Sequence, residues 1–317
     1  MRPSAEHLSH AGGDTGLTVG LVIDRIDWHA RQLIDAFAMR GIHTVPIRLP
    51  SCGFVTQSAT GLHLDGFGET LPDAVVVRTM SGGTFEAVTL RLGVLHALRE
   101  CGVPVWNDAR AIERCVDKSM TSFLLSQAGI ATPETWTFES YGEARAVVKR
   151  EIGAGALVLK PLFGSQGRGL ILIRTLGDLP SREHVAGGVY YLQRFVGAER
   201  GDYKDFRLFV VRGRVAAAMQ RHSRHWITNI KRGGRPVAVA LNEGMKMLAL
   251  RSAAAVGADF AGVDILYAPD GCPTVLEVNS MPAWSGLQRV TPVSIAASLA
   301  DALAATLAGR GVRGATA

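Results

Sequence analysis

Cysteine is scarce in this sequence, and its placement argues against a disulfide framework or a zinc site. The four cysteines lie far apart, at Cys52, Cys101, Cys115 and Cys272. They form no Cys-x-x-Cys pair and have no nearby histidines at zinc-ligand spacing. We therefore expect reduced, mostly buried thiols.

Long apolar runs are also missing. No stretch approaches the roughly 18 to 20 uninterrupted apolar residues that are needed to cross a bilayer. Residues 1–16 (MRPSAEHLSHAGGDTG) are polar and glycine-rich, without the apolar centre of a signal peptide. We expect a flexible tail there, no membrane partner and a cytoplasmic protein.

Basic residues outnumber acidic ones, but their distribution does not indicate nucleic acid. The chain has 34 Lys and Arg against 28 Asp and Glu, which gives a net charge of +6. These cations are spread along the chain, and no nucleic-acid motif accompanies them. A nucleotide and an acidic substrate explain the surplus as well, so we expect no nucleic-acid partner.

Strands and helices alternate in the first part of the chain, which predicts a small open parallel sheet. The strands are LTVGLVI, HTVPIRL, DAVVVR and VPVWN, with helices over residues 28–40 and 84–101. Arg78 and Asn107 fall at the carboxyl ends of strands, where such sheets bind ligands. Arg78 is thus a candidate substrate contact, and a solvated strand-end arginine is the alternative.

The rest of the chain predicts two further lobes and an α/β fold class with α+β lobes. A helical segment over residues 108–128 leads into a lobe with a helix over 141–150 and the strands ALVLK and LILIR. Two hairpins, FRLFVV/RVAAAM and AGVDILY/TVLEVN, form the last lobe with helices over 242–256 and 294–307. We place the domains at 17–110, 111–187 and 188–309, between flexible tails at 1–16 and 310–317.

A glycine-rich loop lies between two apolar strands, in the segment KPLFGSQGRG (residues 160–169). Its glycines let backbone amides approach an anion closely, and Lys160 adds a point charge at the strand end. The loop joins two strands, so neither the P-loop nor the dinucleotide fingerprint applies. An ordinary hairpin tip is the alternative to a phosphate-binding loop.

The second hairpin brings two carboxylates together. If its turn is centred between Asp270 and Gly271, Asp264 and Glu277 are cross-strand partners, and Asn279 projects from the same face. Like charges directly opposed are destabilising unless a cation lies between them. Two carboxylates and an amide oxygen are hard ligands that suit Mg²⁺. This pattern predicts a metal site, with a solvated hairpin face as the alternative.

Further charged and polar side chains lie on or near the first hairpin. Asp205 and Arg207 share one face of its first strand, and Arg221, Asn229 and Arg232 come later. Mutual salt bridging is the alternative to a functional role for each pair.

In this order, the motifs resemble the ATP-grasp superfamily and, more narrowly, its RimK-like α-L-glutamate ligases. The similarity extends from Leu17 to about Leu307. It is carried by Asp117-Lys118, QAGIATP, Lys160, GSQGRG, LQRFV (192–196), Asp205-Phe206-Arg207, NIKRGG (229–234), GVDIL and EVNSMP. The resemblance implies an ATP-grasp fold preceded by the N-terminal open parallel-sheet domain.

The resemblance also implies roles for particular residues. ATP phosphates would be held by Lys118 and Lys160 under a closing loop of Gly164, Ser165, Gln166, Gly167 and Gly169. Adenine would be lined by Gln193, Arg194, Phe195 and Val196, and Asp205 and Asn229 would complete the nucleotide contacts. Arg194 departs from the family, where this position is commonly acidic. Mg²⁺, with Mn²⁺ as a substitute, would bind Asp264, Glu277 and Asn279, while Arg207, Arg221 and Arg232 would manage the γ-phosphate and the substrate carboxylates.

The implied reaction is phosphorylation of a carboxylate by ATP, followed by attack of an amine to form an amide and release of ADP and phosphate. The substrates would be L-glutamate and a small carboxylate-bearing acceptor such as a tetrahydromethanopterin-type pterin. A ribosomal protein C-terminus, or another ATP-grasp reaction of the lysine-pathway or D-alanine type, is the alternative. A non-catalytic nucleotide-binding regulator is disfavoured because the implied metal ligands and lysines are all present.

The preference for a small anionic acceptor comes from basic and aromatic residues around the implied site. The cations are Arg207, Arg221, Arg224, Lys231, Arg232 and Arg235. Trp226 and Trp284 are candidates to stack on a flat ring, and a packing role is the alternative that the sequence favours. The sequence does not distinguish a monomer from a homo-oligomer.

Overall fold

The structure is a computed structural model that describes residues 16–164, 166–197 and 201–314. These residues form two compact units. Residues 16–106 and 296–314 make the first unit, and residues 107–295 make the second. Within the described ranges, no helix is both long enough and apolar enough to span a bilayer.

The secondary structure follows the predicted alternation closely. The helices are α1 (Trp28–Ala38), α2 (Phe85–Glu100), α3 (Ala109–Val116), α4 (Lys118–Gln127), α5 (Tyr141–Glu151), α6 (Glu243–Val256), α7 (Ser285–Gln288) and α8 (Ile295–Gly314). The strands of the first unit are β1 (Thr18–Val22), β2 (His43–Ile47), β3 (Gly53–Phe54), β4 (Leu62–His63), β5 (Ala74–Val77) and β6 (Val105–Trp106). Those of the second are β7 (Thr135–Phe138), β8 (Leu157–Lys160), β9 (Ile171–Ile173), β10 (Tyr190–Arg194), β11 (Tyr203–Val211), β12 (Arg214–Ser223), β13 (Arg235–Ala238), β14 (Phe260–Tyr267) and β15 (Pro273–Asn279).

The first unit contains the predicted parallel sheet, in the order β2-β1-β5-β6. All four residues of β5 are buried, which is typical of a parallel strand that is covered on both faces. Helix α8 belongs to this unit, and Arg40, which follows α1, donates a 2.7 Å hydrogen bond to Asp301 on it. The helix continues to Gly314, past the point where the sequence predicts a flexible tail.

The second unit contains two antiparallel sheets with separate cores. The first, β7-β10-β8-β9, packs on α5 through residues such as Val148, Leu159 and Leu192. The second, β13-β12-β11-β14-β15, packs one face on α6 through alternate residues of its strands, including Leu208 and Val263. The other residues of these strands therefore point to the opposite face, where charged side chains lie.

A break at Asp117 divides the helical segment that the sequence predicts over residues 108–128. Asp117 has an extended backbone, closes α3, and caps α4 by accepting hydrogen bonds from the amides of Ser119 and Met120. A side chain that accepts hydrogen bonds from the first free amides of a helix favours the start of a new helix at that residue over continuation of the preceding helix. The prediction of one continuous helix was therefore wrong, and the break places Lys118 at the first turn of α4.

A β-bulge in the β14–β15 hairpin sets the positions of its carboxylates. Near the turn, Ile265 pairs with Val275, so the hairpin is centred on Asp270 rather than between Asp270 and Gly271. The register shifts between Asp264 and Ile265, and Asp264 then pairs with Glu277. The predicted cross-strand pair is confirmed, but the uniform register assumed for it was wrong.

The cysteine prediction was half right. Cys52 and Cys115 are buried, and burial raises the pKa of Cys115 to about 12. Cys101 and Cys272 are exposed. All four are free thiols, as expected.

Candidate active site

A row of buried charges crosses the sheet β13-β12-β11-β14-β15 on the face away from α6. Arg221 on β12 lies opposite Asp205 on β11, and Arg207 on β11 lies opposite Asp264 on β14. All four side chains belong to residues no more than 9% exposed. We call these four residues the buried ladder.

The buried ladder is held by charge-assisted hydrogen bonds. Arg207 donates two hydrogen bonds to the carboxylate of Asp264, from Nε and from Nη2, both with N–O distances of 2.6 Å. Arg221 donates Nε to Asp205 at 2.7 Å and Nη2 to both Asp205 and Asp264, the latter at 2.9 Å. Because buried charges are costly unless paired, these bonds explain how four charges are tolerated on apolar strands. Arg207 and Arg221 are thus ion-paired with carboxylates, which was the alternative to their predicted roles in binding phosphate and substrate.

The ladder fixes the ionisation of its members. Burial acts to raise the pKa of Asp264, but Arg207 and Arg221 outweigh it and hold that pKa at about 2. Burial acts to lower the pKa of Arg221, and the two carboxylates raise it overall. Asp264 is therefore an anion at any physiological pH.

Glu277 has a different environment from the Asp264 beside it. Among the described residues, its half-buried carboxylate accepts no hydrogen bond and forms no salt bridge. Its charge nevertheless acts on Lys118 and Lys160, whose pKa values it raises against the effect of burial. Asn279 accepts one hydrogen bond at Oδ1, from the amide of Met281 at 2.9 Å.

These three side chains fit a magnesium site. Glu277 has both oxygens available, while Asn279 Oδ1 and Asp264 Oδ1 each keep a lone pair beside the hydrogen bond that they accept. Oxygen ligands, few protein contacts and retained waters are the coordination that Mg²⁺ prefers. No group of three or more His, Cys, Asp or Glu side chains in the described chain is arranged to hold a metal.

Two partly buried lysines converge near Glu277. Lys118 Nζ donates to the carbonyl oxygens of Leu162 and Gly164, at 3.1 and 2.9 Å, and so ties α4 to the base of the glycine-rich loop. Lys160 donates to Gln193, and burial, with a smaller contribution from Lys118, lowers its pKa to about 8. Two cations beside a carboxylate can neutralise a polyphosphate.

The glycine-rich loop adopts a backbone that few residues other than glycine reach. Gly167 and Gly169 have φ values of +66° and +69°, and Gln166 has a φ of 64°. A Cβ on Gly167 would lie 2.6 Å from Ile227 Cγ2 and 3.9 Å from Arg232 Nε. The loop therefore contacts the segment after β12. Ser165, which the resemblance also assigns to this loop, lies outside the described residues.

The predicted adenine segment is held by contacts of its own. Gln193 is buried and bonds to Tyr191 and Thr135 as well as Lys160, so its side chain positions the Lys160 amine. Phe195 packs edge-on against Trp226, with ring centroids 5.8 Å apart. No contact of Val196 bears on its predicted role.

The side chain of Arg194 has a structural role instead. It donates to the Glu151 carboxylate at 2.7 Å, to that of Glu134 at 3.4 Å, and lies over the Trp136 ring. The acidic residue that is usual at this position would lose all of these contacts. A side-chain contact from Arg194 to the nucleotide is therefore not supported.

A rigid basic segment follows β12. We call residues 224–234 the basic arm. Amides of Arg232 and Gly234 donate to the carbonyl of Asn229, whose own side chain caps the amide of Lys231. A Cβ on Gly234 would lie 1.9 Å from the Thr228 carbonyl oxygen, so the turn closes only with glycine. The RGG sequence thus builds a compact loop.

The basic arm lines a cavity of about 650 Å³. Its walls are His225, Trp226, Ile227, Lys231 and Arg232. The two cations are exposed and form no ion pair with any described residue. A cavity of this size suits a small molecule, and its lining suits one that is anionic and partly flat.

Trp284 does not contribute to that cavity surface. It is completely buried and packs edge-on against Phe209 at 5.7 Å. The packing role, which the sequence favoured, is therefore correct for Trp284, and the candidate role in stacking on a substrate is wrong.

Sequence reasoning missed two positioning residues. Thr228 donates its hydroxyl to Asp205 at 2.7 Å, and Asn107 uses its whole amide to bind the backbone of Asp259, Phe260 and Ser280. Asn107 is fully buried and holds the entry to β14 next to the exit from β15. Its place at the end of a strand predicted a position near a bound ligand, but its side chain instead links these backbone segments and has a structural role.

Comparisons with known proteins identify the family of the chain. The model of the RimK-like ATP-grasp domain matches residues 115–303, which include all of the site residues described above in the second unit apart from Asn107. The chain belongs to the RimK-like ATP-grasp family. It is an ATP-dependent ligase that forms a carbon–nitrogen bond and releases ADP.

Relatives of this RimK-like chain include named glutamate ligases. The tetrahydromethanopterin:α-L-glutamate ligase of Methanococcus maripaludis is 39% identical over 290 residues, which cover 90% of this chain and 97% of the relative. A probable α-L-glutamate ligase of Sodalis glossinidius is 32% identical over 290 residues, with 89% and 95% covered. Among solved structures, the ATP-grasp ligase PsnB with its minimal precursor gives a TM-score of 0.71 at 21% identity, covering 91% of this chain and 99% of PsnB. This last likeness supports the fold.

Proposed function

We propose that the protein adds L-glutamate to a small carboxylate-bearing acceptor, such as a tetrahydromethanopterin-type pterin. The observation that carries the proposal is the cavity of the basic arm, which combines a half-buried indole with Lys231 and Arg232. A flat ring and a carboxylate are complementary to this lining. The names of its relatives support the same substrates.

The reaction requires positioning and charge neutralisation rather than a protein nucleophile. A carboxylate oxygen of the acceptor attacks the γ-phosphorus of ATP, and ADP leaves. The amine of glutamate then attacks the acyl carbon, phosphate leaves, and an amide remains after loss of a proton. Both steps are accelerated when the protein orients the reacting groups and when its fixed charges stabilise the charge that develops in the transition state.

Individual residues have separable roles in this proposal. Lys118 and Lys160 neutralise the phosphates, and the loop glycines bring backbone amides close to them. Arg232 is exposed and beside the loop, so it is available for the γ-phosphate or the acceptor carboxylate. Arg207 and Arg221 act through Asp264, because the buried ladder occupies their guanidinium groups.

Asp264, Glu277 and Asn279 would hold Mg²⁺, for which Mn²⁺ would substitute. When bound, the metal would supply positive charge that offsets the negative charge of the ATP phosphates. Asp264 is the least adaptable ligand, because both of its oxygens already accept hydrogen bonds. Glu277 is free of such constraints among the described residues.

The proposal is tested by offering the purified protein ATP, Mg²⁺ and labelled L-glutamate with tetrahydromethanopterin or with a ribosomal protein. We expect the label in the pterin, seen by mass spectrometry as added glutamyl residues, and ADP in equal amount. Labelling of the ribosomal protein and none of the pterin would reject the small-acceptor proposal. Replacement of L-glutamate by D-alanine or lysine provides the specificity control.

A further inference from the structure

The basic arm is joined to the buried ladder by Thr228. Its hydroxyl lies 2.7 Å from Asp205 Oδ2, which also accepts from Arg221. Asp205 is 4% exposed, so a hydroxyl lost here would not be replaced easily by bulk water. From Asp205, the hydrogen bonds continue through Arg221 to Asp264. A single chain of bonds thus connects the arm to the predicted metal ligand.

The other side of the basic arm meets the glycine-rich loop. Ile227, the neighbour of Thr228, leaves no room for a Cβ on Gly167, and Arg232 Nε lies 3.9 Å from the same point. Arg232 is exposed and forms no ion pair with any described residue. Its charge is therefore placed over the loop and available to an anion there.

The attachment of the arm influences where that charge lies. Its internal backbone bonds, from Arg232 and Gly234 to Asn229, hold the backbone of Arg232 close to Thr228. The arm is also bonded to the end of β12, where Ser223 donates its hydroxyl to the Ile227 carbonyl at 3.3 Å. The bond from Thr228 to Asp205 adds a charge-assisted contact between the arm and the buried ladder, four residues from Arg232.

We propose that Thr228 is a positioning residue, which sets Arg232 over the terminal phosphate of ATP by tying the basic arm to Asp205. The proposal rests on the ATP-dependent ligase activity and needs neither glutamate nor the acceptor. ADP lacks the terminal phosphate, so loss of the tie affects ATP binding and spares ADP binding. This selectivity separates a positioning role from a merely structural one.

The test compares the affinities of Thr228→Val for Mg²⁺ with AMPPNP and for Mg²⁺ with ADP, by calorimetry. Valine keeps the shape of threonine and removes the hydroxyl. We expect AMPPNP to bind about tenfold more weakly, the effect of roughly one charge-assisted hydrogen bond, and ADP to bind within about twofold of the unmodified protein. Arg232→Ala should reproduce this pattern, and Thr228→Ser, which keeps the hydroxyl, should bind both nucleotides normally.

Three results would overturn the proposal. They are unchanged AMPPNP affinity in Thr228→Val, an equal loss of affinity for both nucleotides, and a loss in Thr228→Ser as large as that in Thr228→Val. Melting temperatures report whether each variant is folded, and Thr228→Ala is the second hydroxyl-free variant if the valine variant is not. Because no acceptor is present, failure here leaves the glutamate proposal standing, and the converse also holds.

Discussion

At the scale of single residues, Glu277 and Asp264 are cross-strand neighbours that differ in their hydrogen-bond partners. Asp264 is bonded to Arg207 and Arg221, whereas Glu277 is without such partners among the described residues. The carboxylate of Asp264 therefore has a structural role in addition to its proposed metal binding, whereas that of Glu277 is proposed to bind the metal alone. Substitutions can separate these two uses.

We expect Glu277→Gln to abolish ligation and leave the melting temperature unchanged or raised, because it removes one of two opposed charges and no ion pair. Asp264→Asn should abolish ligation and also destabilise the fold by about 3 to 5 kcal/mol, since it leaves buried guanidinium groups without their full partner. ADP release and denaturant unfolding measure the two effects. Substantial activity in Glu277→Gln at ordinary Mg²⁺ would refute the metal site.

Lys160 gives nucleotide binding a pH dependence. With a pKa near 8 instead of its usual 10.5, the amine is largely neutral at pH 9, and a bound polyphosphate restores its proton. We expect proton uptake on ADP binding at about pH 8.5 to 9, and weaker binding as pH rises above 8. Calorimetry in buffers of different ionisation enthalpy measures the uptake.

Lys160→Arg is the matched control, because arginine keeps its charge through this range. It should show no proton uptake. Since the unfolded chain holds the lysine proton up to about 10.5, the same group makes the unmodified protein more stable as pH rises from 8 to 10.5. Uptake that persists in the arginine variant would assign it to another group.

At the scale of elements, the contact between the glycine-rich loop and the basic arm sets the shape of the site. Gly167 and Gly213 both have positive φ, at +66° and +74°, but of the two only Gly167 would bring an added Cβ within 4 Å of a neighbour. Alanine at either position carries a similar backbone cost, roughly 1 kcal/mol. The two substitutions thus introduce a similar backbone strain, but only that at Gly167 also introduces a steric contact with the basic arm.

We expect Gly167→Ala to slow turnover severely, while Gly213→Ala, in the β11–β12 turn, retains it. Both variants should lose similar thermal stability. Adding Ile227→Ala to Gly167→Ala creates room for the new Cβ and should restore part of the rate. Equal rates in the two single variants would show that the contact between loop and arm does not matter for turnover.

Periodicity and turn residues were enough to predict most strands and hairpins, because apolar residues alternate cleanly along them. Asp264 and Glu277 could be paired from the sequence only by assuming one register throughout the hairpin. The bulge beside Ile265 breaks that assumption, and no residue type marks it. The break at Asp117 was also hidden, since its helical neighbours have similar propensities and only the cap decides.

The ladder and the basic arm illustrate what lies beyond sequence patterns. The family resemblance assigns Arg207 and Arg221 to substrate, yet their partners are carboxylates on adjacent strands. Pairings across strands depend on tertiary register, which composition does not encode. Arg232 differs because the basic arm contains no acidic residue. That it is available to bind an anion could therefore be predicted from the sequence.

At the scale of the whole molecule, the two units differ in continuity. The second, residues 107–295, is one uninterrupted stretch with two hydrophobic cores of its own. We expect a fragment of these residues to unfold cooperatively and to bind Mg²⁺ with ADP. Thermal unfolding with and without the nucleotide measures both properties, and a fragment that shows no cooperative transition would contradict the expectation.

The place of α8 has a consequence for how the chain is made. Its residues Leu299 and Leu303 are buried, and Asp301 bonds to Arg40, but α8 leaves the ribosome after everything else that is described. We therefore expect the first unit to complete its core only once α8 has been made, after the second unit has been synthesised. This differs from the usual order, in which N-terminal domains fold first. Translation pauses late in the message would then prolong the time for which the first unit lacks a helix, and chaperone demand should be greatest then.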